Sequence, residues 1–435
     1  RHKMGDYTPY VFRTHDLGTT WSRIDAGLPQ HEFCRVIRED PNRQGLLYVG
    51  TELGIHVSFD DGANWQSLQC NLPVTPIYDF VVKDTDLVVA THGRSFWILD
   101  DLTPLHQMHD DLLGASRYLL KPRDAVRNPP HIAAAWGGTP GGKNYHVTSG
   151  QNATFYIEEL ETGHVRKRVI DAGDDLERGV RIMYFLDQAA VGEASLTITD
   201  ANGQHIKTFS SAVPAEKNDR DGLYITAAAG MNSFQWPMTY PDGMKIYPLA
   251  KPGTYQATLQ VGDWSMTQSF ELLKDPRIST SDADLAEQFD FLIQIRDKLS
   301  DIVLGVNRIR SLKRQLANWA LRLASSEVAT ADAITRAKVL SDQLAAVEHQ
   351  LVQVEFTSDG DTLNYREKLF EKLSALPPVV GSADARPTTQ SYAVYRKLAG
   401  QADEQLSALT ALIDGDLASF NTQLGELGVS IIGVS

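Results

Sequence analysis

The stretch that decides the fold spans residues 45–65 and reads GLLYVGTELGIHVSFDDGANW. Two apolar runs, residues 46–51 and 55–59, are separated by a short turn, which predicts a β-hairpin. A turn with the spacing Ser-x-Asp-x-Gly-x-x-Trp follows the hairpin, and its four named residues are Ser58, Asp60, Gly62 and Trp65. The aspartate can accept backbone N–H bonds, the glycine tolerates positive φ, and we expect the tryptophan ring to cover the hairpin. Such a turn shapes a hairpin and carries no chemistry.

The stretch repeats along the chain. Upstream, a turn built on Asp16, Gly18 and Trp21 is equivalent to the turn at Asp60, Gly62 and Trp65. Downstream, residues 87–91 and 96–100 repeat residues 47–51 and 56–60 but lack the turn. The period is about 40 to 45 residues, which is typical of β-propeller blades. Three units are visible, of which the first is incomplete.

The spacing of apolar residues changes twice along the chain. Residues 1–105 contain the last blades of the predicted propeller, and residues 106–190 form a β-rich connecting segment. Residues 191–274 alternate apolar and polar side chains between turns, which predicts an immunoglobulin-like β-sandwich. From residue 279 to 430 the apolar spacing becomes helical, with predicted helices ending or starting near residues 323, 331, 354, 365, 376, 388 and 424. The predicted fold class is therefore multidomain: partial β-propeller, β-sandwich and antiparallel C-terminal helical bundle.

The composition of the chain limits the classes of partner that we expect it to bind. The chain has 435 residues with 55 acidic and 41 basic side chains, a formal net charge of -14. An acidic chain without a basic stripe argues against a nucleic-acid partner. Four basic residues cluster in the first long helix, where a solvated helix face and an acidic partner surface are both open interpretations; they are Arg308, Arg310, Lys313 and Arg314. The longest apolar runs are too short for a membrane span.

Two further expectations concern the chain's ends and its cysteines. The sequence starts within a repeat and without an initiator Met, so we expect it to be the C-terminal part of a longer polypeptide. The strand that would complete the last blade is then expected in the absent N-terminal part. Cys34 and Cys70 fall on opposite edges of one predicted blade, so a disulfide between them is not favoured, although their pairing stays open.

The candidate ligand-binding residues are Glu52, His92 and Arg94. Glu52 and His92 occupy equivalent positions after the second strand of successive units, where blade loops approach one face of a propeller. They either bind a polar ligand or make hydrogen bonds between blades and orient turns. Three residues of the first strand, Arg35, Arg38 and Glu39, are expected to form buried ion pairs along the channel, with a ligand role as the alternative. The sequence contains no metal-ligand spacing, phosphate-binding loop or nucleophile pattern, so we assign no catalytic residue, metal or cofactor.

The quoted residues resemble a known family. The run from residues 5–10, GDYTPY, through both turns to residues 90–101, ATHGRSFWILDD, resembles the C-terminal part of bacterial BNR/Asp-box repeat proteins. These are sortilin- and sialidase-like propellers, often labelled glycosyl hydrolases. Residues 196–200, 232–236 and 252–255 resemble the Ig-like module of flagellar hook-capping proteins. The resemblance implies a periplasmic, cell-surface or secreted location.

Two functions from different classes follow. The first is a non-catalytic interaction protein whose propeller face binds a protein or glycan ligand; an assembly factor would differ only in its partner. The alternative is a glycoside hydrolase, sialidase- or xyloglucanase-like, with catalytic residues mainly in absent N-terminal blades. Paired carboxylates about 5 to 10 Å apart in an open cleft would favour the hydrolase.

Overall fold

The computed structural model describes residues 2–127, 142–148, 151–170, 178–213, 222–240, 248–324, 331–426 and 433. The described chain is a multidomain protein in which antiparallel sheets are followed by a helical region. None of the helices among these residues combines the length and the apolarity that crossing a membrane requires.

The N-terminal third contains three sheets whose strands follow chain order. The strands are β1 (Phe12–Arg13), β2 (Ser22–Arg23), β3 (Cys34–Glu39), β4 (Leu47–Thr51), β5 (Ile55–Ser58), β6 (Gln66–Ser67), β7 (Ile77–Lys83), β8 (Asp86–Thr91) and β9 (Phe96–Leu99). Sheet A is β1-β2, sheet B is β3-β4-β5-β6 and sheet C is β7-β8-β9, each antiparallel. Sheets B and C share one buried apolar core, and sheets A and B share a second. The predicted hairpins are therefore present, packed sheet against sheet.

The next part of the chain forms two facing sheets and a separate meander. The strands are β10 (Arg117–Leu119), β11 (Ala125–Val126), β12 (Lys143–Thr148), β13 (Gln151–Glu159), β14 (Val165–Val169), β15 (Val180–Leu186), β16 (Ala194–Asp200), β17 (His205–Ser210), β18 (Gly230–Trp236), β19 (Gly253–Val261) and β20 (Trp264–Leu273). Sheet D has the order β10-β15-β18, sheet E the order β11-β20-β19-β16-β17, and sheet F the order β12-β13-β14. The inner faces of sheets D and E bury a single core that includes Trp236 and Phe270.

The predicted domain boundary at residue 190 is wrong. β15 lies before it and pairs along its whole length with β18, while β11 pairs in parallel with the end of β20. β15 alternates buried and half-buried side chains, so its apolar face needs a facing sheet. Strands from 106–190 and 191–274 therefore build one core, a long-range pairing that local turn signals do not reveal.

The helices are α1 (Thr103–His106), α2 (Asp110–Leu113), α3 (Asp282–Ala324), α4 (Ala331–Leu351), α5 (Leu369–Ser374), α6 (Leu376–Val380), α7 (Thr389–Ala411) and α8 (Ala418–Glu426), with a π-helical turn (Leu412–Leu417) joining α7 to α8. α3 to α8 surround one apolar core. Ser281 caps the start of α3, since Asp284 N donates to Ser281 Oγ at 3.1 Å and Ser281 Oγ donates to Asp284 Oδ2 at 2.6 Å. The helix predicted to end near residue 376 ends at Ser374, and Pro377 and Pro378 lie in the first turn of α6, where proline is tolerated.

The basic cluster on α3 is partly structural. Arg310 Nε and Lys313 Nζ donate to the two carboxylate oxygens of Glu348 on α4, at 2.6 and 2.9 Å. Glu348 is buried, and these two bonds hold its pKa below the usual range despite burial, which acts in the opposite direction. Arg308 and Arg314 are exposed.

The two tryptophans of the repeated turns differ in burial. Trp65 is 5% exposed, and its Nε1 donates at 2.6 Å to the carbonyl of Ile24, the residue that follows β2 of sheet A. Trp21 is 60% exposed, and its Nε1 reaches only Gly18 of its own turn, at 3.1 Å. Trp65 shares a buried cluster with Leu47 and Val49 of its own hairpin, as expected, and the same cluster includes Ile24 beside sheet A. No described sheet precedes sheet A, and Trp21 stays largely exposed.

We expect Trp65→Ala to lower the free energy of unfolding by about 3 to 5 kcal/mol, because it opens a cavity between sheets A and B. The matched change Trp21→Ala should stay within about 0.5 kcal/mol of the parent, as at other exposed sites. Chemical denaturation of both variants measures the difference. Equal losses would contradict the sheet-on-sheet role of Trp65.

His56 on β5 is a buried titratable group in sheet B. Its Nε2 lies 4.0 Å from Glu32 Oε2, and its Nδ1 has no hydrogen-bond partner among the described residues. Burial lowers the pKa of His56, and Glu32 opposes that shift. Native His56 therefore stays neutral at a pH where an unfolded histidine, with a pKa of about 6.5, takes up a proton.

The unfolded state thus binds more protons than the native state below about pH 6.5, so this site loses stability as the pH falls. We expect His56→Gln to reduce the drop in thermal midpoint between pH 7.5 and pH 5.5. The control is His205→Gln, which changes an exposed histidine on β17. A pH dependence reduced equally by both variants would refute the assignment.

Candidate functional site

Glu52 and His92 hold equivalent places in sheets B and C. Each follows the second strand of its sheet, and each donates its backbone N–H across to the residue before the first strand. Glu52 N bonds the carbonyl of Phe33 at 3.2 Å, and His92 N bonds the carbonyl of Pro76 at 2.9 Å. The repeat therefore places Glu52 and His92 at equivalent edges of two neighbouring sheets.

Two β-bulges direct further side chains to this edge. The register of β3 against β4 shifts between Cys34 and Val36, and that of β7 against β8 shifts between Ile77 and Asp79. The residues inside the two shifts are Arg35 and Tyr78. A bulge re-aims its extra residue away from the regular alternation of the strand. Equivalent bulges in neighbouring sheets thus turn Arg35 and Tyr78 toward each other.

The result is a continuous stack of five side chains, which we call the ladder: His2, Phe33, Arg35, Tyr78 and His92. His2 stacks on Phe33 with ring centroids 4.4 Å apart and planes 7° from parallel. Arg35 Cζ lies 4.9 Å from the centroid of Phe33 and 4.2 Å from that of Tyr78. Tyr78 stacks on His92 at 4.9 Å.

Glu52 fixes the cation at the centre of the ladder. Arg35 Nε donates to Glu52 Oε2 at 2.7 Å, and Nη2 contacts the same oxygen. The guanidinium is planar and binds a carboxylate while its faces stay available for stacking. Arg35 and Glu52 are half-buried, whereas His2 and His92 are exposed and Tyr78 is 50% exposed. The ladder is thus a rigid, solvent-facing surface with a neutralised charge at its centre.

Arg94 lies outside the ladder contacts. Its backbone N–H donates to Thr91 Oγ1 at 3.1 Å, its carbonyl accepts from Trp97 Nε1 at 2.9 Å, and its side chain is exposed. Of the three residues predicted to bind ligand, Glu52 and His92 come together through Arg35 and Tyr78, and Arg94 sits on the adjoining loop. Sequence reasoning missed His2, Phe33 and Tyr78. Aligning the two repeats would have placed Tyr78 opposite Arg35.

The expectation of buried ion pairs along the first strand needs correction. Arg38 does pair with Asp79 of the neighbouring sheet, at 2.8 Å, but both side chains are about half exposed, at 48% and 62%. Such exposed pairs contribute little to stability. Glu39 makes no ion pair among the described residues and accepts the N–H of Gly45 at 3.0 Å.

The aspartates of the repeated turns are held by local hydrogen bonds. Asp16 Oδ1 and Asp60 Oδ1 accept the backbone N–H groups of Thr20 and Asn64, both at 2.8 Å. The bond from Thr20 is the main cause that lowers the pKa of Asp16 to about 2. The pKa of Asp60 is lowered by its bonds with Asn64 and Ser58, against the opposing effect of burial. Ionised, turn-bound carboxylates of this kind cannot act as general acids near neutral pH.

The remaining turn residues have equally local roles. Ser58 Oγ accepts the N–H of Gly62 at 2.9 Å and donates to Asp60 at 2.8 Å. Gly18 and Gly62 adopt φ values of +92° and +85°, which favour glycine. A Cβ at Gly62 would also lie 2.6 Å from Ile24, which follows β2. These residues shape the hairpin ends.

The described residues contain no group of three or more His, Cys, Asp or Glu side chains arranged to hold a metal ion. Cys34 and Cys70, both described, are free thiols, and burial raises the pKa of Cys34 to about 11. A thiol with so high a pKa is a poor nucleophile.

A cavity of about 640 Å³ lies away from the ladder, between β14 and β18. Two polar residues of its lining bond within the protein: Thr162 Oγ1 lies 2.8 Å from His164 Nδ1, and His164 Nε2 lies 2.6 Å from the carbonyl of Gln235. These bonds tie the meander of sheet F to sheet D.

No protein-family model matches the chain, and a search of curated proteins finds no significant match.

The stack of His92 on Tyr78 makes a direct spectroscopic prediction. An imidazole over an aromatic face experiences its ring current, so we expect the Hε1 resonance of His92 to lie upfield of a free histidine. Tyr78→Leu should move it back downfield in spectra of histidine-labelled protein. The internal reference is His109, which contacts Tyr118 edge-on at 6.5 Å and should not move. An unshifted His92 signal in the parent would rule out the stack.

Proposed function

We propose that this chain is a non-catalytic binding protein that recognises a protein or glycan ligand through the ladder. The observation that carries the proposal is an exposed, ordered row of aromatic and cationic side chains. Tyrosine and arginine are enriched among the residues that dominate binding energies. Rings that already hold one another in place lose little conformational entropy on binding, which favours affinity.

We infer that sheets A, B and C are successive blades of an Asp-box β-propeller and that sheets D and E form an Ig-like sandwich. The equivalent bulges, turns and backbone bonds of sheets B and C support the first part. The resemblance to BNR/Asp-box proteins supports the same interpretation and a periplasmic, cell-surface or secreted location.

The outer face of sheet C carries exposed apolar side chains, which favours a further partner that covers it. Val81, Ile98 and Phe96 are 54%, 58% and 74% exposed there. The corresponding face of sheet B, which includes Tyr48 and Val57, is covered by sheet C. We propose that additional blades of a longer polypeptide cover this apolar face in the same manner.

The alternative is a glycoside hydrolase with catalytic residues mainly in those additional blades. It would need a general acid, a carboxyl whose pKa is raised. Asp100 is the described aspartate whose pKa is raised, by burial and by the charge of Asp86, with Arg181 and Arg123 opposing. Asp86 itself is held by Arg123 Nη1 at 2.7 Å. Asp100→Asn is therefore the variant that tests for turnover.

The deciding experiment screens glycan and peptide arrays with the chain and follows product release from the same glycans. We expect saturable binding without turnover, weakened at least tenfold by Tyr78→Leu and by Arg35→Gln. The matched control is Tyr145→Leu, which changes a tyrosine of β12 that is 70% exposed.

Binding that survives both ladder variants, or falls equally in the Tyr145→Leu control, would refute the ladder as the site. Product release that disappears in Asp100→Asn would favour the hydrolase.

A further inference from the structure

The ladder leaves only part of its ring surface available to a ligand. Phe33 lies between His2 and Arg35, and Tyr78 between Arg35 and His92, at distances of 4.2 to 4.9 Å. Two planar groups this close to one centroid cannot share a face, so both faces of Phe33 and Tyr78 are covered. What remains exposed are ring edges and the outer faces of the two terminal imidazoles.

This geometry disfavours a glycan. Sugar rings pack their C–H groups against the negative face of an aromatic ring, and both faces of Phe33 and of Tyr78 are occupied. Ring edges carry partial positive charge and attract carbonyl and carboxylate oxygens. A ligand that lies along the edges therefore meets donors and positive potential.

The two ends of the ladder add positive charge. Lys3 follows His2, and Arg94 lies two residues after His92; both side chains are exposed. Within the described part of the chain neither forms an ion pair, whereas the central Arg35 is neutralised by Glu52. The surface is thus cationic at both ends in a chain whose net charge is -14.

We propose that the ladder binds an extended, acidic peptide segment of a partner protein. This inference rests on the proposed binding function and names its ligand class. The length of the ladder matches roughly five or six residues of extended chain, at about 3.3 Å per residue. Backbone carbonyls meet the ring edges, and acidic side chains pair with Lys3 and Arg94.

The test selects binders from a random ten-residue peptide library with the whole chain. We expect aspartate and glutamate to be enriched at least threefold among the binders. Replacing them by asparagine and glutamine in the tightest binder should weaken binding at least tenfold. Raising the salt concentration from 50 to 200 mM should also weaken it, since the contacts are exposed charges.

Two double variants distinguish the effect of the charges beside the ladder from the effect of the net charge of the chain. Lys3→Glu combined with Arg94→Glu should abolish the acidic enrichment. The control, Arg314→Glu combined with Lys338→Glu, makes the same change of net charge at two exposed positions on α3 and α4 and should leave it intact.

Binders without acidic enrichment, or equal losses in both double variants, would overturn the proposal. So would tighter binding of an acidic oligosaccharide, tetragalacturonate, than of the best peptide. A neutral ligand lost on Tyr78→Leu would leave the proposed binding function standing and reject only its acidic ligand. No ligand of any class would reject both.

Discussion

The face-to-face packing of sheets B and C is the constraint on which the rest of the N-terminal region depends. The two sheets meet so closely at Gly50 that a Cβ there would lie 2.7 Å from Ile77. Tyr48 is wholly buried in this contact, and its hydroxyl donates to Asp40 at 2.8 Å. The same Asp40 oxygen lies 2.9 Å from Nε2 of His106, which ties α1 to the sheets. Because the sheets cannot slide at such a contact, their equivalent edges stay side by side.

The ladder is a product of that alignment. Neither bulge would create a surface alone, since Arg35 and Tyr78 belong to different sheets and touch only while the sheets remain packed. Once aligned, each group covers a neighbour's face, so aromatic surface stays ordered without being buried in a core. The same geometry limits what the proposed ligand could contact, because the parts of Phe33 and Tyr78 left open are their edges. The packing of sheet B on sheet C therefore fixes both the fold of this region and the ring surface that the proposed ligand would meet.

Elsewhere in the chain, some elements follow from the local sequence, whereas others depend on pairing between distant residues. The strands of sheets B and C follow from short apolar runs and from turn residues that bond their own neighbours, such as Asp60 with Asn64. The start of α3 follows from its N-cap serine, and its length follows from its apolar spacing. The membership of β15 in the same core as β18 could not be derived in this way. Nothing local to residues 180–186 indicates that their partner lies some fifty residues later, beyond two intervening strands.

In the candidate site, too, some features follow from the sequence and others only from the tertiary structure. Repeat spacing alone determined that Glu52 and His92 occupy equivalent places, and turn chemistry alone determined the roles of Asp16, Gly18, Asp60 and Gly62, because those bonds join residues close in sequence. Only the tertiary structure decided that Arg35 links the two sites, that Trp65 is buried while Trp21 is not, and that Arg94 lies aside. The physical reason is that covering a face depends on which element packs there, and a bulge shows itself only when two strands are aligned.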